Sequence, residues 1–131
     1  MNDLRVSLVQ GDTRWHDPAG NRDHYAALVA PLAGATDLVV LPETFTSGFS
    51  NDAIDQAEGM DGPTVARMLA QARTLGAAET GSVPLRAEDG DGPTRICNPT
   101  PWENPDGQLA HYDTRHLFRF AGEHKRYAAG R

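Results

Sequence analysis

The segment Asp37-Leu38-Val39-Val40-Leu41-Pro42-Glu43 decides the predicted fold class. Its four consecutive apolar residues do not alternate with polar ones, which is typical of a strand covered on both faces in a parallel sheet. Pro42 then fixes the geometry with which the chain leaves the strand. We therefore expect a buried parallel strand with the carboxylate of Glu43 just beyond its carboxyl end.

A strand and a helix are predicted upstream of this segment. Apolar and polar residues alternate over residues 4–8, Val9 follows, and the turn-forming pair Gly11-Asp12 ends this strand pattern. Asn21 can cap a helix, and Pro31 should bend or end it, because proline lacks an N–H donor and clashes one turn back. The apolar positions of this helix recur at the helical spacing: Tyr25, Leu28, Val29 and Leu32.

The clearest helix is predicted downstream, over residues 63–75. Pro63 suits its first position and Gly76 suits its C-terminal cap. Residues 77–85 follow as a third strand, although Glu79 stands where a parallel strand would carry an apolar residue. This alternation of strands and helices predicts an α/β fold with right-handed crossovers. One apolar stripe supports the helix: Val65, Met68, Leu69 and Ala72.

The segment 88–107 interrupts this alternation. It contains four of the chain's prolines and three glycines, and proline is nearly excluded from central strands. We predict an irregular, Pro/Gly-rich loop there, followed by a brief strand over residues 109–112.

Length and charge limit the domain count and the partners. The chain has 131 residues, which suits a single domain over residues 1–131. An apolar share of 39%, with 13 glycines and 9 prolines, predicts a globular but marginal core. The formal net charge of -6 repels nucleic-acid phosphates and the anionic membrane surface, so we expect no nucleic acid and no membrane as a partner.

Cysteine usage and hydropathy predict a cytoplasmic location. Cys97 is the single cysteine, so an internal disulfide is impossible and a reducing compartment fits best. No apolar run approaches the ~20 residues that cross a bilayer. Asp3 also stands where a secretory signal would carry basic residues.

No motif predicts a metal or cofactor site. The stretch Asp89-Gly90-Asp91-Gly92 lacks the further ligand positions of a calcium loop. His111, His116 and His124 lack the i, i+4 helical spacing of metal-binding pairs. We therefore expect neither a metal nor a cofactor.

Glu43 is the most informative acid in the chain. Functional groups of open α/β sheets cluster outside the carboxyl ends of the strands, and a carboxylate there can accept a proton from a nucleophile within hydrogen-bond reach. The position alone leaves two readings open, a general base and a solvated acid at the start of a loop.

Several segments, taken in chain order, resemble the first half of the nitrilase (carbon-nitrogen hydrolase) superfamily, and its omega-amidase branch in particular. The resemblance covers most of the chain apart from residues 88–107. The segments that carry it are Leu4-Arg5-Val6-Ser7-Leu8-Val9-Gln10, Leu38-Val39-Val40-Leu41-Pro42-Glu43-Thr44-Phe45-Thr46-Ser47-Gly48-Phe49, Thr80-Gly81-Ser82, Tyr112-Asp113-Thr114-Arg115-His116-Leu117-Phe118 and Gly122-Glu123-His124.

The resemblance implies a four-layer α-β-β-α sandwich, of which this chain would supply the N-terminal half. It also implies that small amides of dicarboxylic acids are hydrolysed by a Glu-Lys-Cys thiol mechanism. In that scheme the glutamate activates the cysteine, the thiolate attacks the amide carbon, ammonia leaves, and water releases the acid. The lysine steadies the developing oxyanion. Glu43 matches the glutamate of this triad.

The other two triad members do not carry over. Thr114 stands at the lysine position and offers one neutral donor instead of a cationic group, and the neighbouring Arg115 points to the opposite side of an extended segment. The nucleophile belongs to a later turn that residues 1–131 do not reach. Cys97 has no helix start after it and no basic cluster beside it, so we predict an incidental loop cysteine. Glu123 matches the family's second, pocket-shaping glutamate, and a solvated acid is the other reading.

Two main hypotheses follow. The first is an omega-amidase-like hydrolase of small amides that retains Glu43 and has little or no turnover by itself. The second is a non-catalytic remnant that binds a partner, a full-length relative or another copy of itself through an unfinished sheet. Family members are about twice as long, so one sheet would lack strands and leave an apolar face open to water. A chain that does not fold stably is a third reading.

Overall fold

The described residues of the computed structural model form two α-helices and seven strands. They are residues 3–48, 57–87, 95–97 and 99–112. A 3-10 helix, Ala30–Leu32, directly follows the first α-helix. In chain order the elements are β1 (Val6–Leu8), α1 (Pro18–Val29), β2 (Leu38–Val40), α2 (Pro63–Leu75), β3 (Ala78–Thr80), β4 (Leu85–Ala87), β5 (Arg95–Cys97), β6 (Thr100–Glu103) and β7 (Leu109–Tyr112).

Five of the strands form one sheet in the order β1-β2-β3-β6-β7. The first three are parallel, and β6 and β7 continue the sheet antiparallel to their neighbours. Helices α1 and α2 connect consecutive parallel strands, which confirms the predicted strand-helix alternation. Because β1, β2 and β3 follow one another in the sheet, right-handed crossovers place both helices on the same face.

The first helix begins earlier than predicted. Asp17 is the N-cap, its Oδ1 accepts the N–H of Gly20 at 3.1 Å, and Pro18 occupies the first turn. The prediction of Asn21 as the cap was wrong, because Asn21 lies inside the helix and is fully buried. The predicted end is confirmed, since α1 stops at Val29, two residues before Pro31.

The second helix has the predicted bounds, Pro63–Leu75. Gly76 follows in the left-handed conformation with φ 66°, which glycine adopts without steric cost. At the other end, the N–H of Thr64 donates to Oε1 of Glu58 at 3.0 Å, so a carboxylate satisfies one free donor of the first turn.

The core lies between the helices and one face of the five-stranded sheet. Val39 in the central part of β2 is fully buried, but its neighbours Leu38 and Val40 are only half-buried. The prediction that β2 is covered on both faces was therefore wrong, because both crossover helices pack on one side. The largest buried apolar side chains of the core are Tyr25, Leu41, Phe45, Met68, Leu75 and Leu85.

The predicted third strand, residues 77–85, is two strands. β3 ends at Thr80, and β4 begins at Leu85 and pairs antiparallel with β5 in a separate two-stranded sheet. Between them, Gly81 packs so closely that an added Cβ would lie 2.8 Å from Cβ of Leu41. The chain leaves the first sheet at this close contact.

The segment 88–107 was predicted to be irregular, and its described part contains β5 and β6. Cys97 accordingly lies in a strand, opposite Leu85. Pro101 is tolerated because the ladder between β3 and β6 pairs only Glu79 with Glu103 and Thr80 with Trp102. No ladder bond to β3 is lost at residue 101, whose carbonyl instead accepts the Thr80 hydroxyl at 2.6 Å.

A hairpin joins β6 to β7, and the predicted strand over residues 109–112 is confirmed. Its turn is closed by the N–H of Asn104, which donates to the carbonyl of Gln108 at 2.9 Å. Gly107 has φ 92°, a conformation that favours glycine. Within the ranges given above, no helix is both long and apolar enough to span a membrane.

Candidate active site

Glu43 is exposed at the carboxyl end of β2 and lines a cleft of about 250 Å³. The cleft opens on the sheet face that the helices do not cover, because Val40 and Thr80 are cross-strand partners on that face. This is the position at which open α/β sheets carry functional groups. The other lining residues are Val40, Leu41, Thr80, Gly81, Ser82 and Thr100.

The turn that carries Glu43 is anchored in the core by Phe45. Phe45 is buried, and its ring meets the ring of Tyr25 edge-on, with centroids 5.7 Å apart and planes at 83°. The Tyr25 hydroxyl in turn forms a short hydrogen bond with the hydroxyl of Thr13. Edge-to-face packing restrains both rings, so the turn cannot shift without disturbing helix α1.

Hydrogen bonds from the chain before and within α1 hold the rest of this turn. The side-chain nitrogen of Asn21 donates to the carbonyls of Thr46 and Arg14, both at 2.7 Å, and its oxygen accepts the Arg14 N–H at 2.7 Å. The N–H of His16 donates to the Ser47 carbonyl at 2.9 Å. Buried polar groups paired in this way stabilise one conformation of the backbone. The turn that carries Glu43 is therefore held in one conformation.

Most of the other predicted site residues lie outside the described residues. These are Thr114, which matches the lysine position, Arg115 and Glu123. The strand leading to them is described as far as Tyr112, which pairs with Thr100, and Thr100 lines the same cleft as Glu43.

Sequence reasoning missed a pair of buried acids, Glu79 and Glu103. They are direct cross-strand partners, and both are fully buried. Because side chains alternate along a strand, Glu79 faces the helices while Thr80 faces the cleft, so this pair lies on the opposite side of the sheet from Glu43. The isolated acid in β3 was visible in the sequence, but its partner fell in a segment predicted to be irregular.

The two carboxyl groups are both buried, but they differ in their hydrogen bonds. With its amide nitrogen turned towards Glu79, Gln71 donates to Oε1 at 2.7 Å and to Oε2 at 3.2 Å. Neither carboxyl oxygen of Glu103 has a hydrogen-bond partner in the part of the chain that is described. Burial raises the pKa of Glu79 from 4.5 to about 8. Burial, and next the negative charge of Glu79, raise the pKa of Glu103 to about 8.

No group of three or more His, Cys, Asp or Glu side chains is arranged to hold a metal ion within the described ranges. The acidic stretch 89–92, His116 and His124 lie outside those ranges. The cleft itself is lined by Glu43 and by three residues that carry hydroxyl groups, Thr80, Ser82 and Thr100. Such a site can accept a proton and exchange hydrogen bonds with a small polar molecule.

Residues 5–129 match the carbon-nitrogen hydrolase family. The chain belongs to this family, which confirms the predicted resemblance.

Two omega-amidases are among its curated relatives. Omega-amidase YafV of Escherichia coli K12 is 37% identical over 130 residues, which cover 99% of this chain and 48% of the relative. Omega-amidase YafV of Yersinia enterocolitica is 37% identical over 131 residues, which cover 100% of this chain and 48% of the relative. The chain thus spans about half the length of the curated relatives it matches.

Solved structures of the superfamily share the α/β fold. XC1258 of Xanthomonas campestris, a CN-hydrolase superfamily protein, superposes with a TM-score of 0.94 at 67% identity, over 100% of this chain and 48% of that one. Nit3 of Saccharomyces cerevisiae, from branch 10 of the nitrilase superfamily, gives 0.82 at 25% identity, over 98% and 49%. The predicted fold class, a partial nitrilase-like α/β fold, is confirmed.

Proposed function

We propose that this chain is the base-bearing half of an omega-amidase-like hydrolase that converts small linear amides, the omega-amides of dicarboxylic acids, to acid and ammonia. The observation that carries the proposal is the exposed carboxylate of Glu43, held by an anchored turn at the edge of a cleft. The similarity to omega-amidases along almost the whole chain supports this substrate class.

The proposed reaction splits amide hydrolysis into two displacements. Glu43 takes the proton of a cysteine thiol, the thiolate adds to the amide carbon, and a cation stabilises the oxyanion. The C–N bond breaks as the nitrogen takes up a proton and leaves as ammonia. Water, deprotonated by Glu43, then cleaves the thioester, which releases the acid and restores the thiol. Of these groups, residues 1–131 supply only Glu43, because Thr114 replaces the lysine and the nucleophile position lies outside them.

The hydroxyls of the cleft suit an amide, which both donates and accepts hydrogen bonds. Ser82 already accepts the N–H of Thr44 at 2.7 Å, so its own O–H remains available as a donor. Thr80 already donates to Pro101, so the oxygen of its hydroxyl remains available as an acceptor. The two lining residues thus offer complementary groups to the carbonyl and the amino group of an amide.

The purified 131-residue chain should release little or no ammonia from half-amides such as succinamate or glutaramate. Without a nucleophile only binding and electrostatic effects remain, and the neutral Thr114 weakens those further. Ammonia is measured by a coupled assay, with circular dichroism to verify that the chain is folded. Turnover by the wild-type chain that Glu43→Gln abolishes would show that the proposed inactivity is wrong.

A second candidate function, non-catalytic binding, is favoured by the sheet face that the helices leave uncovered. We call it the open face, and it carries Leu8 (79% exposed), Tyr112 (62%), Val6 (47%) and Trp102 (39%). Exposed apolar patches of more than a few hundred Å² mark interaction sites. A partner, a full-length relative or a second copy that covers the open face would remove this apolar area from water.

Association through the open face should depend on Leu8. We expect the mass from light scattering to rise above 14.2 kDa as the concentration increases, and we expect Leu8→Glu to suppress the rise because it buries a charge in the contact. Leu28→Glu is the matched control, since Leu28 is an exposed leucine on helix α1. A mass that stays at 14.2 kDa at every concentration, together with a cooperative melt, would argue against self-association.

A further inference from the structure

Thr44, the residue directly after Glu43, has a strained backbone. Its φ is 45°, in the left-handed region that β-branched residues rarely adopt. Such a conformation persists only where the surrounding structure over-determines it, and strain of this kind concentrates at functional sites. A contact from the surrounding structure must therefore hold Thr44 in this conformation.

Both backbone polar groups of Thr44 are engaged. Its N–H donates to Oγ of Ser82 at 2.7 Å. Its carbonyl accepts the N–H of Ser47 at 3.1 Å and the N–H of Gly48 at 2.9 Å. The last two bonds are local to the turn, whereas the bond to Ser82 crosses 38 residues of sequence and ties the turn to the segment after β3.

Ser82 is itself well supported. It is only 7% exposed, and the N–H of the next residue, Val83, donates to the carbonyl of Pro99 at 3.1 Å. On its other side, Gly81 packs against Leu41 and Phe45 with no room for a Cβ atom. The hydroxyl that accepts from Thr44 is therefore held by a close-packed segment rather than by a mobile loop.

We propose that Ser82 is a positioning residue: its hydroxyl, by accepting the N–H of Thr44, holds the left-handed turn that directs the Glu43 carboxylate into the cleft. This inference deepens the function proposed above, since it rests on the role of Glu43 as the base. In this role the Ser82 oxygen acts on the backbone of the turn, and this effect on Glu43 is separate from the hydrogen bond that the Ser82 O–H offers to the amide.

The test uses NMR on the folded 131-residue chain, so that it does not depend on turnover. Two readouts are measured: hydrogen exchange of the Thr44 amide and the side-chain order parameter of Glu43. With Ser82→Ala we expect Thr44 exchange to become about 10-fold faster, the loss expected for one hydrogen bond, and Glu43 to become less ordered. Ser82→Thr, which keeps the hydroxyl, should restore both values.

A matched control and a second variant complete the test. Ser47→Ala removes a buried hydroxyl from the same turn, one that donates to the Gly48 carbonyl and not to Thr44, and should leave both readouts unchanged. If Ser82→Ala prevents folding, Thr44→Gly should rescue it, because glycine adopts positive φ without support. The inference would be overturned if Ser82→Ala left hydrogen exchange of the Thr44 amide unchanged, or if it made that exchange faster without changing the order parameter of Glu43. It would also be overturned if Ser82→Ala did not fold and Thr44→Gly did not rescue it. Absence of amidase activity would leave it intact.

Discussion

The free energy of unfolding should fall as the pH rises from about 5 to about 8, and the buried pair Glu79 and Glu103 should cause the fall. Both carboxyls have a pKa near 8 in the folded chain, against 4.5 when they are exposed. Between these values the folded state binds protons that the unfolded state has released, so stability decreases with pH. Each such proton is worth on the order of 1 kcal/mol per pH unit.

The physical origin of this dependence is the burial of both acids, and for Glu103 the negative charge of Glu79 comes next. As direct cross-strand partners under helix α2, the two carboxylates would repel each other if both were ionised. The main cost is desolvation, which the amide of Gln71 offsets for Glu79, whereas within the described ranges neither carboxyl oxygen of Glu103 has a hydrogen-bond partner. Below about pH 5 both groups are protonated and this cost is absent. As the pH rises through about 8 the folded chain also releases these protons, and the destabilisation approaches its full value.

Glu103→Gln should flatten the pH profile and stabilise the chain at pH 8, by roughly 1 to 3 kcal/mol, because it removes one buried charge and keeps the shape of the side chain. The measurement is urea denaturation at pH 5, 6, 7 and 8. Glu43→Gln is the matched control, since it makes the same chemical change at an exposed position. Identical profiles for the wild type and Glu103→Gln would contradict the account.

The elements that sequence could predict are those with local causes. Helix α2 has its apolar stripe, Pro63 at the start and Gly76 at the end all within one segment, and its bounds were predicted correctly. The N-cap of α1 was misassigned to Asn21 because asparagine is a residue type that is common at helix N-caps. Its real partners, Arg14 and Thr46, become neighbours only when the chain folds.

Strand β6 shows where a compositional rule fails. The prolines in residues 88–107 predicted a loop, yet Pro101 lies in strand β6. A proline is tolerated there because β3 ends at Thr80, which pairs with Trp102, so no residue of β3 pairs with Pro101. That fact depends on the length of β3, which the sequence does not reveal. The pair Glu79 and Glu103 was missed for the same reason, since register sets which acids face each other.

The candidate site also contains one residue that local sequence predicts and others that depend on long-range contacts. Glu43 could be predicted because a buried strand, a proline and an acid stand next to each other in the sequence. Its supports, Ser82 and Asn21, could not, because each reaches the turn through one long-range hydrogen bond.

Glu43→Gln should abolish amidase turnover in a protein that supplies the other two members of the triad. A general base contributes about 10² to 10⁴ in rate, and here it also generates the thiolate nucleophile, so a loss of at least about 10³ is expected. A suitable protein joins residues 1–131, with Thr114→Lys, to the remaining half of omega-amidase YafV from Escherichia coli. Glu103→Gln is the matched control, because Glu103 faces away from the cleft.

The role of Glu43 as the base is tested by the rate of ammonia release from glutaramate by this joined protein at pH 7, with glutamate and then with glutamine at position 43. We expect measurable turnover that falls at least about 10³-fold with Glu43→Gln and persists with Glu103→Gln. A folded, active joined protein that works equally well with glutamine at position 43 would show that this carboxylate is not the base.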